Sequence, residues 1–143
     1  EKVVREMKGR RLRLAVVKHH GRGGIQFDVP GKDSYRFAEA GADHVVLAAP
    51  GTLIHRRRID HDPSLAEAVA GIHDVDIIII EGYKHADAPK IEVNRRARSE
   101  ELILGAEDLI AVVSDQQFDL GIPCYDLEDV EGLVAFIEQR FLP

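Results

Sequence analysis

Cysteine occurs once, at Cys124, so the chain can form no internal disulfide. That suits a reducing compartment. A lone thiol also gives no metal-type cysteine spacing, so a zinc site built on paired cysteines is excluded. No apolar run approaches the roughly 20 residues that cross a bilayer. No charged start is followed by a hydrophobic signal segment. The phosphate-cradling string G-x-x-x-x-G-K-[ST] occurs nowhere in the 143 residues. Positive charge is in the minority: 19 Lys and Arg stand against 25 Asp and Glu, a net charge of −6. Nonspecific binding to nucleic acid is therefore disfavoured. These absences point to one cytoplasmic domain over residues 1–143, with no nucleic-acid or membrane partner.

What is present is a chain with 45% hydrophobic residues, enough for a core. Its most informative stretch is Asp76 to His85. Four consecutive isoleucines, Ile77 to Ile80, leave no polar alternation for a solvated face. They are expected to form a central strand buried on both faces, the mark of a parallel sheet covered by helices. The run stops at Glu81-Gly82. In α/β folds, ligands bind outside the carboxyl ends of the strands. The Glu81 carboxylate is thus a candidate for holding a metal or activating water, and Gly82 allows the backbone to turn sharply.

Other segments read as follows. Glu1 to Lys8 carries Val3, Val4 and Met7 at helical spacing, and no helix start signal precedes it. Arg11 to Lys18 is a strand, followed by the glycine-rich loop His19-His20-Gly21-Arg22-Gly23-Gly24. A helix spans Tyr35 to Ala40, with Asp33 or Ser34 as its N-cap and Gly41 as its stop. His44 to Ala49 and Thr52 to Arg57 flank Pro50-Gly51 and read as a hairpin. Ser64 caps a helix through Ala70. Lys90 to Asn94, Leu109 to Val113 and Ile122 to Tyr125 are further strands. Asp129 to Phe141 is a closing amphipathic helix. Strands alternate with helices, so the class is α/β with a mostly parallel sheet.

Several residues could carry chemistry, and each has a plain structural reading beside the functional one. Lys18 ends the first strand, where a lysine can neutralise phosphate charge; a solvated strand-end lysine is the alternative. His19 and His20 point to opposite sides of an extended chain, so they do not chelate one metal; phosphate contact or loop packing fits them better. Gly21, Gly23 and Gly24 can bring bare amides close to an anion. Asp28 and Asp33 are the next magnesium candidates, since one or two carboxylates suffice for that ion. Asp33 is equally explained as a helix cap. Tyr83-Lys84-His85 follows Glu81-Gly82 and could face a ligand or solvent. Ser114-Asp115 repeats the logic of Glu81 at the end of another strand. Cys124 reads as a buried small hydrophobe. The arginine clusters 10–13, 56–58 and 95–98 read as solvated faces.

The strings Val-Lys-His-His-Gly (17–21), Pro-Gly-Lys-Asp-Ser (30–34), Ala-Gly-Ala (40–42) and Ile-Glu-Gly-Tyr-Lys-His (80–85) stand here in order. With Val113-Ser114-Asp115 and Asp129-Val130-Glu131-Gly132, the set resembles the molybdopterin-guanine dinucleotide biosynthesis protein B (MobB) family along the whole chain. The resemblance implies a three-layer α/β fold of the P-loop NTPase type, binding of GTP with Mg2+, and at most slow GTP hydrolysis. It implies an adaptor role beside the guanylyltransferase that attaches GMP to molybdopterin, with contact to molybdopterin-carrying proteins, and a homodimer. The family's phosphate loop lies between its first strand and first helix. Glu1 falls inside that helix, so the strand and loop are expected to be missing from an N-terminally incomplete chain. Such a chain is expected to bind GTP poorly.

By position, Glu81 matches the acid near magnesium and the γ-phosphate, with Gly82 beside it. Lys18 matches the lysine ending the family's second strand, followed by His19, Gly21 and Gly23. Asp28 and Asp33 fall in a switch-like segment, and Ser114 and Asp115 in the region near the base. The guanine-reading string Asn-Lys-x-Asp is absent, so preference for GTP over ATP is not legible. Two other readings stand beside the adaptor: a related P-loop kinase or ATP-dependent ligase, and a nucleotide-free scaffold.

Overall fold

The protein is described from a computed structural model covering residues 1–26 and 28–143. It divides into two compact units. One comprises Glu1–Val17 with Ile72–Pro143; the other is Lys18–Gly71.

In the first unit, helix α1 (Lys2–Gly9) places Val3 and Met7 one turn apart, and Met7 is fully buried. Strands β1 (Leu14–Lys18) and β4 (Ile77–Glu81) form a two-stranded sheet. The residues just before each strand are tied together. The Arg13 carbonyl accepts from the Asp76 amide at 2.7 Å. The Asp76 carboxylate accepts from the Arg13 amide and from its Nη2, both at 2.7 Å. The two strands therefore start at one edge and run parallel.

The isoleucine run is not buried on both faces as its composition suggested: all four residues are only half-buried. Ile77 and Ile79 pack on the core. The alternate pair, Ile78 and Ile80, faces the other way and is covered only in part.

A second sheet has the order β5 (Lys90–Asn94), β6 (Leu109–Ser114), β7 (Cys124–Tyr125), all parallel. Asn94 pairs with Ser114, so β5 and β6 finish level. Strand β6 is the one that is buried almost throughout, with Ala111 and Val112 inaccessible. Strand β7 is a two-residue edge, and Cys124 on it is exposed rather than buried. Successive side chains of a strand face opposite ways, so Tyr125 packs on the core while Cys124 takes the uncovered face. Helix α4 (Val130–Phe141) is capped by Asp129, whose Oδ1 accepts from the Gly132 amide at 3.0 Å. It buries Leu133, Val134 and Ile137 against Met7 and Val113. Arg10 ties α1 to α4, donating to Glu6 at 2.8 Å and to Glu138 at 2.5 Å.

In the second unit, helix α2 (Asp33–Glu39) begins two residues earlier than its sequence suggested. Lys32 is the N-cap, and neither Asp33 nor Ser34 fills that place. Lys32 already has extended dihedrals, which moves Asp33 into the first helical turn, where its negative charge suits the helix dipole. Strands β2 (His44–Ala49) and β3 (Thr52–Arg57) form the expected antiparallel hairpin, with Ala49 opposite Thr52. Gly51 turns the chain at φ +75. Helix α3 (Leu65–Val69) starts in a capping box. Ser64 Oγ accepts from the Glu67 amide at 3.2 Å, and Glu67 Oε2 accepts from the Ser64 amide at 3.0 Å. Among the described residues there are three parallel pairings and one hairpin, and the class is α/β as expected.

Candidate functional site

Glu81 is the last residue of β4 and is exposed. The chain then turns through two successive left-handed residues, Gly82 at φ +91 and Tyr83 at φ +51. A tyrosine in that region is uncommon and marks a local constraint. The turn is built directly behind the one carboxylate that the strand delivers to its carboxyl edge.

The carboxyl edge of β5 and β6 holds a second polar group. Ser114 is nearly inaccessible, and its hydroxyl donates to Asn94 Oδ1 at 3.2 Å while accepting from the Gln116 amide at 3.0 Å. Asp115 is exposed, and its Oδ1 accepts from the Arg96 amide at 2.7 Å. Of the two residues named for this corner, Asp115 faces outward and Ser114 is committed within the fold. Asn94, Gln116 and Glu92 were not singled out from sequence. Their partners lie 5 to 22 positions away, which no local pattern reveals.

The remaining named residues lie in or at the start of the second unit. Lys18 ends β1. His19 Nε2 lies 2.9 Å from Asp62 Oδ1, and the Gly21 backbone sits against the His19 ring. Gly23 and Gly24 have φ +66 and +70, with open space on the side where a Cβ would point. Asp28 accepts from the Val29 amide at 2.8 Å. The Ser34 hydroxyl, and then that amide, hold its carboxyl below the ordinary range. Asp33 opens α2 with Arg36 at 3.9 Å.

Sequence reasoning also passed over His61. Its two ring nitrogens face Asp60 Oδ1 at 3.1 Å and Glu67 Oε1 at 3.0 Å. Carboxylates only accept, so both contacts are satisfied together by the doubly protonated ring. Asp60, and then Glu67, accordingly raise the His61 pKa. Glu67 is lowered to about 2, first by the Ser64 amide and hydroxyl and then by His61.

Among the described residues, no three His, Cys, Asp or Glu side chains converge on a metal-sized site. Magnesium needs only one or two carboxylates, with water and phosphate oxygens completing its shell. Glu81 brings one carboxylate to the carboxyl end of β4. Asp28 accepts from Val29 and is held by Ser34, and Asp33 opens α2.

The architecture defines an α/β protein that delivers acidic and amide side chains to the carboxyl ends of parallel strands. Residues 1–115 match the family model described as molybdopterin guanine dinucleotide synthesis protein B. The chain belongs to the MobB family. It is 31% identical to the molybdopterin-guanine dinucleotide biosynthesis adapter protein of Escherichia coli K12, covering 96% of this chain and 81% of that one. Identity to the corresponding Haemophilus influenzae protein is 29%, over 96% and 78%. A solved molybdopterin-guanine biosynthesis protein B superposes with a TM-score of 0.73 at 26% identity, covering 97% of this chain and 88% of the other. Bacillus subtilis MobB shares the fold with a TM-score of 0.69.

Proposed function

We propose that this protein is a GTP-binding adaptor in molybdopterin guanine dinucleotide formation, assisting a guanylyltransferase and hydrolysing GTP slowly at most. The observation that carries the reading is the placement of Glu81. It is an exposed carboxylate at the carboxyl end of a parallel strand, followed by the Gly82–Tyr83 turn. Family membership supplies the pathway. Mg2+, when bound, would neutralise phosphate charge, and Glu81 is the residue that would hold it. Lys18, His19, Gly21 and Gly23 would serve the phosphates, as in the family pattern. Asp28 and Asp33 would act from the switch-like segment, and Asp115 near the base.

The partner reading has its own support. The hairpin β2–β3 leaves Val46, Leu47, Leu53 and Ile54 exposed, and soluble chains cover apolar area of this kind by association. That suits a homodimer or docking of the guanylyltransferase in the cytoplasm. Among the described residues, no helix is long and apolar enough to cross a membrane. The same exposed hairpin also favours the nucleotide-free scaffold as a second reading.

Calorimetric titration of the intact gene product with GTP and ATP, each with and without Mg2+, separates the two. GTP binding that requires Mg2+ and weakens in Glu81→Gln, with an unchanged circular dichroism spectrum, supports the adaptor reading. Absence of nucleotide binding leaves the scaffold. ATP preference with turnover of a small substrate points instead to a kinase or ligase. Equal Mg2+-dependent affinity in Glu81→Gln removes Glu81 from the site.

A further inference from the structure

The segment joining β5 to β6 covers residues 95–108 and contains one short 3-10 turn, Ala106–Asp108. Parallel neighbours need a crossover of about a dozen residues, usually a helix. A crossover without one is uncommon and tends to be functional. This crossover is held between residues 96 and 104 by side chains of β5 and of the two residues that follow β6. Glu92 accepts from the Ile103 amide at 2.7 Å and the Leu104 amide at 3.0 Å. Asn94 Nδ2 donates to the Ser99 carbonyl at 3.3 Å and the Glu101 carbonyl at 3.0 Å. Gln116 Nε2 donates to the same Ser99 carbonyl at 3.0 Å. The Arg96 amide is held by Asp115.

Asn94 is the centre of this clamp and is only 5% exposed. Its amide is fully engaged. Two carbonyls take its two N–H groups, while Ser114 Oγ and Gln116 Nε2, the latter at 2.7 Å, donate to its oxygen. Only a side chain with two donors and a carbonyl, at this length, satisfies all four partners. An aspartate would turn acceptor oxygens toward two carbonyls. A leucine would leave four polar groups unpaired. None of these bonds is needed to bury apolar surface, because residues 95–101 are exposed. What they do is fix the course of the segment that carries the Arg96 amide, and hence the rotamer of Asp115 at the carboxyl edge of β6.

We propose that Asn94 is a positioning residue for base selection. Through the 95–101 segment it holds Asp115 where the carboxylate can accept from a nucleobase edge that presents two adjacent donors. The proposal rests on the nucleotide-binding reading above. Guanine offers such an edge in N1–H and the 2-amino group. Adenine offers an unprotonated N1 there, whose lone pair a carboxylate repels. Asn94 itself touches no ligand; it acts by setting where Asp115 stands.

The test uses the intact protein and measures affinities for GTP, ATP and inorganic tripolyphosphate, all with Mg2+, for the native chain, Asn94→Asp and Gln116→Ala. The native protein is expected to prefer GTP. Asn94→Asp is expected to lose about tenfold of the GTP-to-ATP ratio, and Gln116→Ala about threefold, the scale of one or two hydrogen bonds. Tripolyphosphate affinity stays within about twofold in both, which a general loss of structure does not permit. Should Asn94→Asp fail to fold, Gln116→Ala decides by the same ratio. An unchanged ratio in a folded variant overturns the role of Asn94 and leaves nucleotide binding standing. So does a native protein that binds both nucleotides equally, or a loss shared by tripolyphosphate. If the native protein binds no nucleotide, the reading beneath it fails as well.

Discussion

The two units of this chain bury apolar residues to very different degrees. The first places Met7, Val113, Leu133, Val134 and Ile137 in one cluster drawn from two helices and a strand. Among its described hydrophobic residues the second buries only Ala38 and Val45, and it leaves Phe37, Val46, Leu53 and Ile54 in water. Apolar content is therefore a poor guide to where stability resides. Hairpin β2–β3 carries several apolar residues, yet a two-stranded sheet with one short helix, α2, beside it leaves most of them uncovered. The first unit holds itself together, while the second offers surface.

The largest expected effect tests the first half of that contrast. Met7→Ala should lower unfolding free energy by about 2–5 kcal/mol, because a fully buried side chain is removed and a cavity remains. Leu53→Ala, 71% exposed, should change it by less than about 0.5 kcal/mol. Denaturant titration of both variants makes the comparison directly. Similar losses would show that the hairpin is covered in solution, which analytical ultracentrifugation of Leu53→Ala would then trace to association.

A smaller effect sharpens the picture within the second unit. Ser64→Ala removes the capping box of α3 and should cost about 1 kcal/mol, seen as faster amide exchange over Leu65–Val69 with little change in the first unit.

The smallest is a pH dependence of the same helix start. His61 has a raised pKa, so its contribution is complete below its unfolded value near 6.5 and fades as pH rises through the folded value. Glu67 is lowered to about 2, so its contribution is complete above 4.5 and fades as pH falls toward 2. Protection of the α3 amides, corrected for intrinsic exchange, should peak between those two limits. His61→Gln should remove the alkaline side of the peak and keep the acidic one. A flat profile in the native protein would dissolve the proposed cluster.

Much of the scaffold was legible because its signals are local. The hairpin over 44–49 and 52–57, the strand 90–94 and the Ser64 cap follow from alternation, turn residues and short-range hydrogen bonds, and all three stand where the residues put them. What was misread depends on neighbours distant in sequence. Cys124 has apolar company in the chain but sits on a two-residue edge. Ile77 to Ile80 have the composition of a doubly covered strand, while coverage is set by the layers that happen to pack there. Asn94 gave no sign at all, since a single asparagine at a strand end acquires meaning only once Ser99, Glu101, Ser114 and Gln116 surround it. Glu81 was legible as a position, because an acid closing an apolar run marks the rim of a parallel sheet.

The grip on the β5–β6 crossover has one more consequence. Glu92 and Asn94 hold peptide groups and ignore the side chains those groups carry. Substitutions at Arg95, Arg98 or Ile103 can therefore redecorate the rim without shifting its path. A lineage could exchange Arg95, Arg98 or Ile103 to suit a new associate and inherit an already rigid platform.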